Sequence, residues 1–203
     1  MVATARAHPV LAAFTLAYLV VFLVAGLVIG SDVAVPYVVL IVAVVALICR
    51  LDRRFDLGTL TLWGMSLWGL GHLAGGIVPI GNERTLYNAV QPIELYHFDR
   101  LVHAFGFGFA TLVCGQVVLR LLPGGRLTTA AAVLVVLAGL GVGAVNEIVE
   151  FVATLVLPET NVGGYDNTGW DLIFDLFGGI VATLWLVRAG ERRRRSPAEA
   201  VAA

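Results

Sequence analysis

The sequence predicts an all-α membrane protein: a polytopic bundle of six transmembrane helices with both termini in the cytoplasm. Apolar residues make up 59% of the 203-residue chain and the mean hydropathy is +0.92, whereas charged residues make up only 13%. A soluble domain usually carries about twice that share of charge. The composition therefore excludes an ordinary soluble globule, a disordered chain and a nucleic-acid-binding protein, and it makes the lipid bilayer the expected surroundings of the chain.

Six apolar stretches are long enough, or nearly so, to cross a membrane as helices. A hydrocarbon core of about 30 Å requires about 20 apolar residues in a helix. The stretches cover residues 9–30, 33–50, 59–80, 99–122, 128–157 and 170–188. The first is too long for the core of a signal peptide, so we expect it to remain in the protein. The fifth exceeds one crossing, which predicts a helix that is tilted, kinked near its glycines or protruding from the bilayer.

The arginine distribution predicts the orientation of these helices. All 13 basic residues are arginine, and 11 of them lie on one side of the predicted spans, with Arg84 and Arg100 on the other. The positive-inside rule places the arginine-rich side in the cytoplasm. The sequence therefore predicts a multi-pass protein of the cell inner membrane, with both termini inside and the loop 158–169 outside.

The chain is predicted to form a single membrane domain over residues 1–203. Residues 9–50 carry no charged residue in the helix interiors, and the tight turn at Ser31-Asp32 predicts an antiparallel scaffold hairpin. Residues 59–188 form the four-helix bundle that bears the polar side chains, and residues 189–203 form a basic cytoplasmic tail.

Ionisable residues within the spans are the main pointers to function. Each costs about 2.5–3.5 kcal/mol at the bilayer centre on insertion scales. They comprise His72 in the third helix, Asp99, Arg100 and His103 in the fourth, Glu147 and Glu150 in the fifth, and Asp171 and Asp175 in the sixth. At a rise of about 1.5 Å per residue, groups from four helices reach similar depths in the outer half of the bilayer. The i,i+3 and i,i+4 spacings place each acidic pair on one helix face, so we expect the groups to converge.

Crowded carboxylates require compensation by a divalent cation, shared protons or a water-filled cavity. Carboxylate oxygens and imidazole are suitable ligands for Zn, Mn, Fe or Mg. The predicted metal ligands are His103, Glu147, Glu150, Asp171 and Asp175. His72, alone on its helix, is more typical of a buried hydrogen-bonding histidine. Asp166 is more typical of a turn residue, together with Asn167, than of a catalyst.

Three ordered motifs carry a family resemblance. Residues 98–106 resemble the aromatic-D-[RK]-x-x-H-x-x-G segment of YjdF-type inner-membrane proteins. Residues 146–150 are similar to the N-E-x-x-E element of that family, and residues 170–175 are similar to its W-D-x-x-x-D element. The family commonly has G-D before the last motif, where this chain has Asn167-Thr168-Gly169. The wider VanZ-like group shows a looser version of the pattern, and the resemblance implies a bacterial multi-pass protein connected with envelope chemistry.

The predicted site is compatible with two classes of function. The first is a metal-assisted hydrolase or transferase acting on an envelope or lipid-linked substrate, with Glu147 and Asp171 as candidate catalytic carboxylates and Arg100 positioning an anionic group such as phosphate. The second is a proton- or cation-coupled transporter for a small solute, in which the same carboxylates form a relay. A non-catalytic envelope scaffold is a third alternative, but it leaves the buried carboxylates unexplained.

Overall fold

The computed structural model describes residues 1–81, 84–88, 97–157, 160 and 162–199, and most of these are helical. The helices are α1 (Val2–Ala7), α2 (Pro9–Ile29), α3 (Ala34–Phe55), α4 (Thr59–Ile77), α5 (Phe98–Leu121), α6 (Thr129–Val156) and α7 (Tyr165–Glu199). Between α4 and α5, the short strands β1 (Pro79–Ile80) and β2 (Arg84–Thr85) pair antiparallel and precede a 3-10 turn over Leu86–Asn88.

Within this described part of the chain, five helical segments are long and apolar enough to cross a membrane. They are Pro9–Ile29, Ala34–Phe55, Phe98–Leu121, Thr129–Val156 and Tyr165–Gly190. The prediction of a helical, multi-pass membrane protein is therefore confirmed. The remaining long helix, α4, is 19 residues long and rich in glycine, and it buries polar residues such as Ser66 and His72 among its neighbours. A sixth span formed by α4 stays a prediction.

The ends of the first two long helices follow from local chemistry. Proline at the first position of α2 has no N–H to leave unpaired and already has helical φ. Gly30 ends α2 in the left-handed conformation (φ +75°), and the N–H of Ser31 donates to the carbonyl oxygen of Gly26 at 2.9 Å. This Schellman-type ending reverses the chain within a few residues. The expected tight turn at Ser31-Asp32 is present, because α3 begins at Ala34.

The structure corrects both ends of the last predicted helix. α7 begins at Tyr165 rather than residue 170, so Asp166 lies in its first turn and not in a loop. An aspartate there interacts favourably with the helix dipole. At the other end α7 continues to Glu199, so residues 189–199 of the predicted basic tail are helical. The long fifth span is one unbroken helix, α6, which runs through Gly139, Gly141 and Gly143.

Glycines bring α5 and α7 into backbone contact. A Cβ atom added at Gly108 of α5 would lie 3.2 Å from the carbonyl oxygen of Gly178 of α7. A Cβ atom at Gly178 would overlap the carbonyl oxygen of Ala104. Small residues at such a crossing let membrane helices approach closely. This crossing holds the early turns of α5 and α7 together, where the predicted site residues lie.

Candidate metal centre

His103 lies at the centre of the polar cluster, and its two ring nitrogens face different acids. The side chain is buried in the second turn of α5. Its Nδ1 is 3.0 Å from Oδ1 of Asp175 on α7 and 3.9 Å from Oε1 of Glu147 on α6. Its Nε2 is 3.8 Å from Oδ1 of Asp99, one turn earlier on α5. One imidazole thus connects three helices.

The remaining predicted ligands join the same cluster. Ligand atoms of Asp99, His103 and Asp171 lie within 4.8 Å of one another, and so do ligand atoms of His103, Glu147 and Glu150. The structure therefore brings together all five residues that the sequence predicts as metal ligands. It adds Asp99, which sequence analysis left outside the ligand set.

Two asparagine amides hold the carboxylates of the cluster. Nδ2 of Asn167 donates to Oδ2 of Asp99 at 3.2 Å and also to Oδ2 of Asp171. Nδ2 of Asn146 donates to Oε1 of Glu150 at 2.7 Å. The sequence-based interpretation of Asn167 as a turn residue is wrong, because residues 165–169 are helical. Had the helix been predicted to begin at Tyr165, the i,i+4 spacing of Asn167 and Asp171 would have placed both side chains on one helix face.

Several buried carboxylate oxygens have no hydrogen-bond partner within the described residues. They are Oδ1 of Asp171, Oδ2 of Asp175 and both oxygens of Glu147. Asp171 is 1% exposed and Asp175 is 0% exposed. A buried polar group without a partner costs about 1–3 kcal/mol, and more when it is charged. Oxygen atoms grouped in this way around an imidazole are a suitable donor set for a divalent cation.

Glycine on α6 creates the space for Asp175. A Cβ atom added at Gly143 would overlap the Asp175 carboxylate, whereas one added at Gly141 meets nothing within 4 Å. The absence of a side chain at Gly143 therefore leaves room for the Asp175 carboxylate of the neighbouring helix. The close approach of α6 and α7 at this level depends on this glycine.

The guanidinium of Arg100 contacts an aromatic ring of α7. Its guanidinium carbon is 4.8 Å from the ring centroid of Trp170 on α7, which is cation–π geometry. Of the three predicted catalytic residues, Glu147 and Asp171 are in the cluster, and Arg100 directly follows the clustered Asp99 on α5. Asp166 is exposed.

His72 occupies a separate aromatic pocket. The hydroxyl of Tyr87 hydrogen-bonds Nδ1 of His72 at 2.8 Å, and the rings of Tyr37 and Trp68 lie 4.8 and 5.6 Å from the imidazole. Burial, reinforced by the negative charge of Asp99, raises the pKa of Tyr87 well above its usual range, so the hydroxyl stays protonated. The expectation that His72 is a buried hydrogen-bonding histidine is confirmed. Its partner Tyr87 was not identified from the sequence.

Residues 10–192 match the family model described as "Predicted membrane protein (DUF2238)". The chain belongs to the DUF2238 family. This is the family of YjdF-like proteins, so the first resemblance found in the sequence is confirmed at family level, while the VanZ-like one stays a prediction. No curated protein and no solved structure matches the chain.

Proposed function

We propose that this DUF2238 protein is a membrane metalloenzyme, a hydrolase or transferase that acts on an envelope or lipid-linked substrate at the outer face of the bilayer. A divalent ion such as Zn, Mn, Fe or Mg is held by the acidic cluster around His103. One observation carries the proposal: oxygens of Glu147, Asp171 and Asp175 are buried around one imidazole without a hydrogen-bond partner among the described residues. A divalent cation bound in the cluster offsets the negative charge that these acids bring into a buried site.

The chemistry follows from the positions of the surrounding groups. A bound divalent ion polarises a phosphoryl or carbonyl oxygen and makes a bound water more acidic. Glu147, a buried acid 3.9 Å from Nδ1 of His103, accepts a proton from the attacking water as the new bond to phosphorus or carbon forms. It then returns that proton to the leaving oxygen as the old bond breaks. Arg100, which directly follows Asp99 on α5, binds the anionic group of the substrate.

The surroundings of the cluster favour a substrate that arrives from the lipid. On α6, Ile148 and Phe151 alternate with the acidic residues and are each 61% exposed. On α7, Ile173 and Phe177 flank Asp175 and are 55% and 60% exposed. Apolar faces of this kind contact acyl or isoprenoid chains, so a lipid-linked headgroup can reach the acids while its tail stays in the bilayer.

The packing of α5 supports an enzyme over a transporter. Beyond His103, Phe107, Ala110 and Val113 are buried in apolar contacts. The buried Thr111 hydroxyl donates to the Phe107 carbonyl of its own helix at 2.6 Å. Gln116, nearer the other end of α5, binds the backbone of Gly58 and the Thr61 hydroxyl. A coupled transporter needs a polar route through the inner half of the bundle, and these described residues provide apolar packing and local hydrogen bonds there.

The enzyme proposal predicts metal-dependent cleavage of a lipid phosphate. Purified protein in mixed micelles with phosphatidic acid or a polyprenyl diphosphate is expected to release inorganic phosphate when loaded with Mn²⁺ or Zn²⁺, and chelation is expected to stop the release. Glu147→Gln removes the proton acceptor and is expected to lower kcat by about 100-fold or more, since general acid–base catalysis contributes about 10²–10⁴-fold. The matched control is Asp166→Asn on the exposed side of α7, which should retain wild-type activity.

A measurement of proton flux tests the competing function, a coupled transporter. In vesicles that contain a pH-sensitive dye, the enzyme proposal expects no proton movement driven by an ion gradient. Proton flux that disappears in Glu147→Gln, together with absent phosphate release, would replace the enzyme with a coupled transporter.

Orientation is part of the proposal, because an envelope substrate requires the cluster to face outward. In a variant lacking Cys49 and Cys114, Gly164→Cys is expected to react with an impermeant maleimide in intact cells, because this position is exposed and a side chain there meets nothing within 4 Å. Thr129→Cys, at the exposed start of α6, should react only after permeabilisation. The reverse pattern would place the cluster on the cytoplasmic side.

A further inference from the structure

We propose that the metal is bound by Nε2 of His103 with Oδ1 of Asp99 and Oδ1 of Asp171, and that Asp175 is a positioning residue rather than a ligand. This inference rests on the proposed metal site, and it separates Asp99, which faces Nε2 of His103, from Asp175, which faces Nδ1. It assigns a ligand, Asp99, that sequence analysis did not include, and it gives Asn167 a role.

The contact between His103 and Asp175 has the geometry of a hydrogen bond. The Nδ1–Oδ1 distance is 3.0 Å, and both side chains are almost completely buried. A neutral imidazole has one N–H donor and one nitrogen with a free electron pair. When Nδ1–H donates to Asp175, Nε2 is the nitrogen that can bind a metal. A metal-binding histidine commonly donates its other N–H to a carboxylate, which fixes the tautomer and the ring orientation.

The spacing of Asp99 and Asp171 around His103 suits metal coordination. Oδ1 of Asp99 is 3.8 Å from Nε2, too far for a direct hydrogen bond. Two ligands of one ion lie about 3–4 Å apart when each bond is about 2.0–2.2 Å. Asp171 completes a group whose ligand atoms are all within 4.8 Å of one another, and its buried Oδ1 lacks a hydrogen-bond partner among the described residues.

Asn167 hydrogen-bonds one carboxylate oxygen of each of these two acids. Its amide nitrogen has two hydrogens, and it donates to Oδ2 of both Asp99 and Asp171. The Oδ1 atom of each carboxylate is thereby left for the ion, and α5 is tied to α7 beside the site. Asn167 is the second positioning residue of the centre.

Glu147 and Asp175 are the two acids whose contacts with His103 are made to Nδ1. Glu147 is 3.9 Å from Nδ1. Oδ2 of Asp175 packs toward Gly143 of α6. The ligand set is therefore one imidazole nitrogen and two carboxylate oxygens, which leaves coordination positions open for water and substrate. This donor set suits Zn²⁺, Mn²⁺ or Fe²⁺ better than Ca²⁺, which prefers six to eight oxygens.

Titration of the purified, metal-free protein with Zn²⁺ and Mn²⁺ separates ligands from positioning residues. Asp99→Asn and Asp171→Asn are expected to lower the affinity by more than about 100-fold. Asp175→Asn retains a hydrogen-bond acceptor and is expected to lower it by about 10–100-fold, the usual effect of losing an outer partner of a ligand. Asn167→Ala, at a half-buried position, should also fall in the smaller range.

Pulsed EPR of the Cu²⁺-loaded protein supplies a readout specific to positioning. The nuclear quadrupole signal of the non-coordinated imidazole nitrogen depends on the hydrogen bond made by its N–H. We expect this signal in the wild type and a shifted signal in Asp175→Asn, since an amide replaces the carboxylate acceptor. The Asn167→Ala signal should match the wild type.

The outcomes distinguish this assignment from the proposed function. Equal losses of affinity in Asp99→Asn and Asp175→Asn, with an unchanged remote-nitrogen signal, would make Asp175 a ligand and overturn the assignment while keeping the metal site. Wild-type affinity in Asp99→Asn would overturn it as well. Failure of the wild-type protein to bind any of these metals would instead overturn the metal site itself.

Discussion

Replacement of His103 by alanine is expected to abolish stoichiometric binding of Zn²⁺ or Mn²⁺, with an affinity loss above about 100-fold. The substitution removes the imidazole that lies between Asp99, Glu147 and Asp175. Loss of an outer partner of a metal ligand already costs about 10–100-fold, and loss of the nitrogen ligand itself costs more. Calorimetric titration of chelator-treated protein in detergent measures the effect directly.

A second histidine provides the matched control. His97 immediately precedes α5, and its side chain makes no capping hydrogen bond to the helix. His97→Ala should therefore bind metal as the wild type does. Wild-type binding by His103→Ala would show that the metal binds elsewhere in the protein.

The same titration has a defined pH dependence. Protons compete with the metal for carboxylate and imidazole ligands, so binding is expected to release protons and to weaken as the pH falls. In buffers of different ionisation enthalpy, the measured binding enthalpy of the wild type should vary with the buffer. An enthalpy independent of buffer would contradict displacement of protons from these ligands.

The convergence of the site could be predicted from sequence because helix geometry is regular. A constant rise per residue sets the depth of His103, Glu147 and Asp175 once the ends of their helices are approximately known. The i,i+4 rule places the two acids of α7 on one face. Neither inference depends on side-chain packing, so errors of a few residues at the helix ends left the prediction intact.

Details that depended on a helix boundary were missed. Gly163, Gly164 and Gly169 suggested a loop before Trp170, whereas α7 begins at Tyr165. Asn167 therefore seemed to be a turn residue, and its bonds to two acids were not foreseen. Asp99 was not predicted as a ligand, and its carboxylate accepts a hydrogen bond from Asn167 of another helix, a contact that spacing along one helix does not report.

The packing role of glycine was equally hidden, because sequence alone does not show what a glycine faces. Gly141 and Gly143 belong to the same helix and the same apolar run. In the structure a Cβ atom at Gly141 meets nothing within 4 Å, whereas one at Gly143 overlaps the Asp175 carboxylate. The two positions form a natural pair for testing whether close approach of α6 and α7 supports the centre.

Gly143→Ala is expected to damage both stability and metal binding. The added methyl group must displace the Asp175 side chain or separate the helices, and such overpacking costs about 1–3 kcal/mol of unfolding free energy. Displacement of Asp175 also breaks its hydrogen bond to His103, so metal affinity should fall by about 10–100-fold. Unfolding in mixed micelles and metal titration measure the two effects separately.

Gly141→Ala is the matched control for Gly143→Ala, because it adds the same methyl group to the same helix without contacting a neighbouring side chain. Alanine in a helix interior is favoured over glycine by about 0.5–1 kcal/mol, so this variant should be neutral or slightly stabilised with unchanged metal affinity. If Gly143→Ala behaved in the same way, α6 would not pack against the Asp175 carboxylate as described. If it lost stability but kept wild-type metal affinity, the position of Asp175 would be irrelevant to the centre. Loss of both properties in Gly143→Ala alone is the result that ties helix packing to the chemistry of His103.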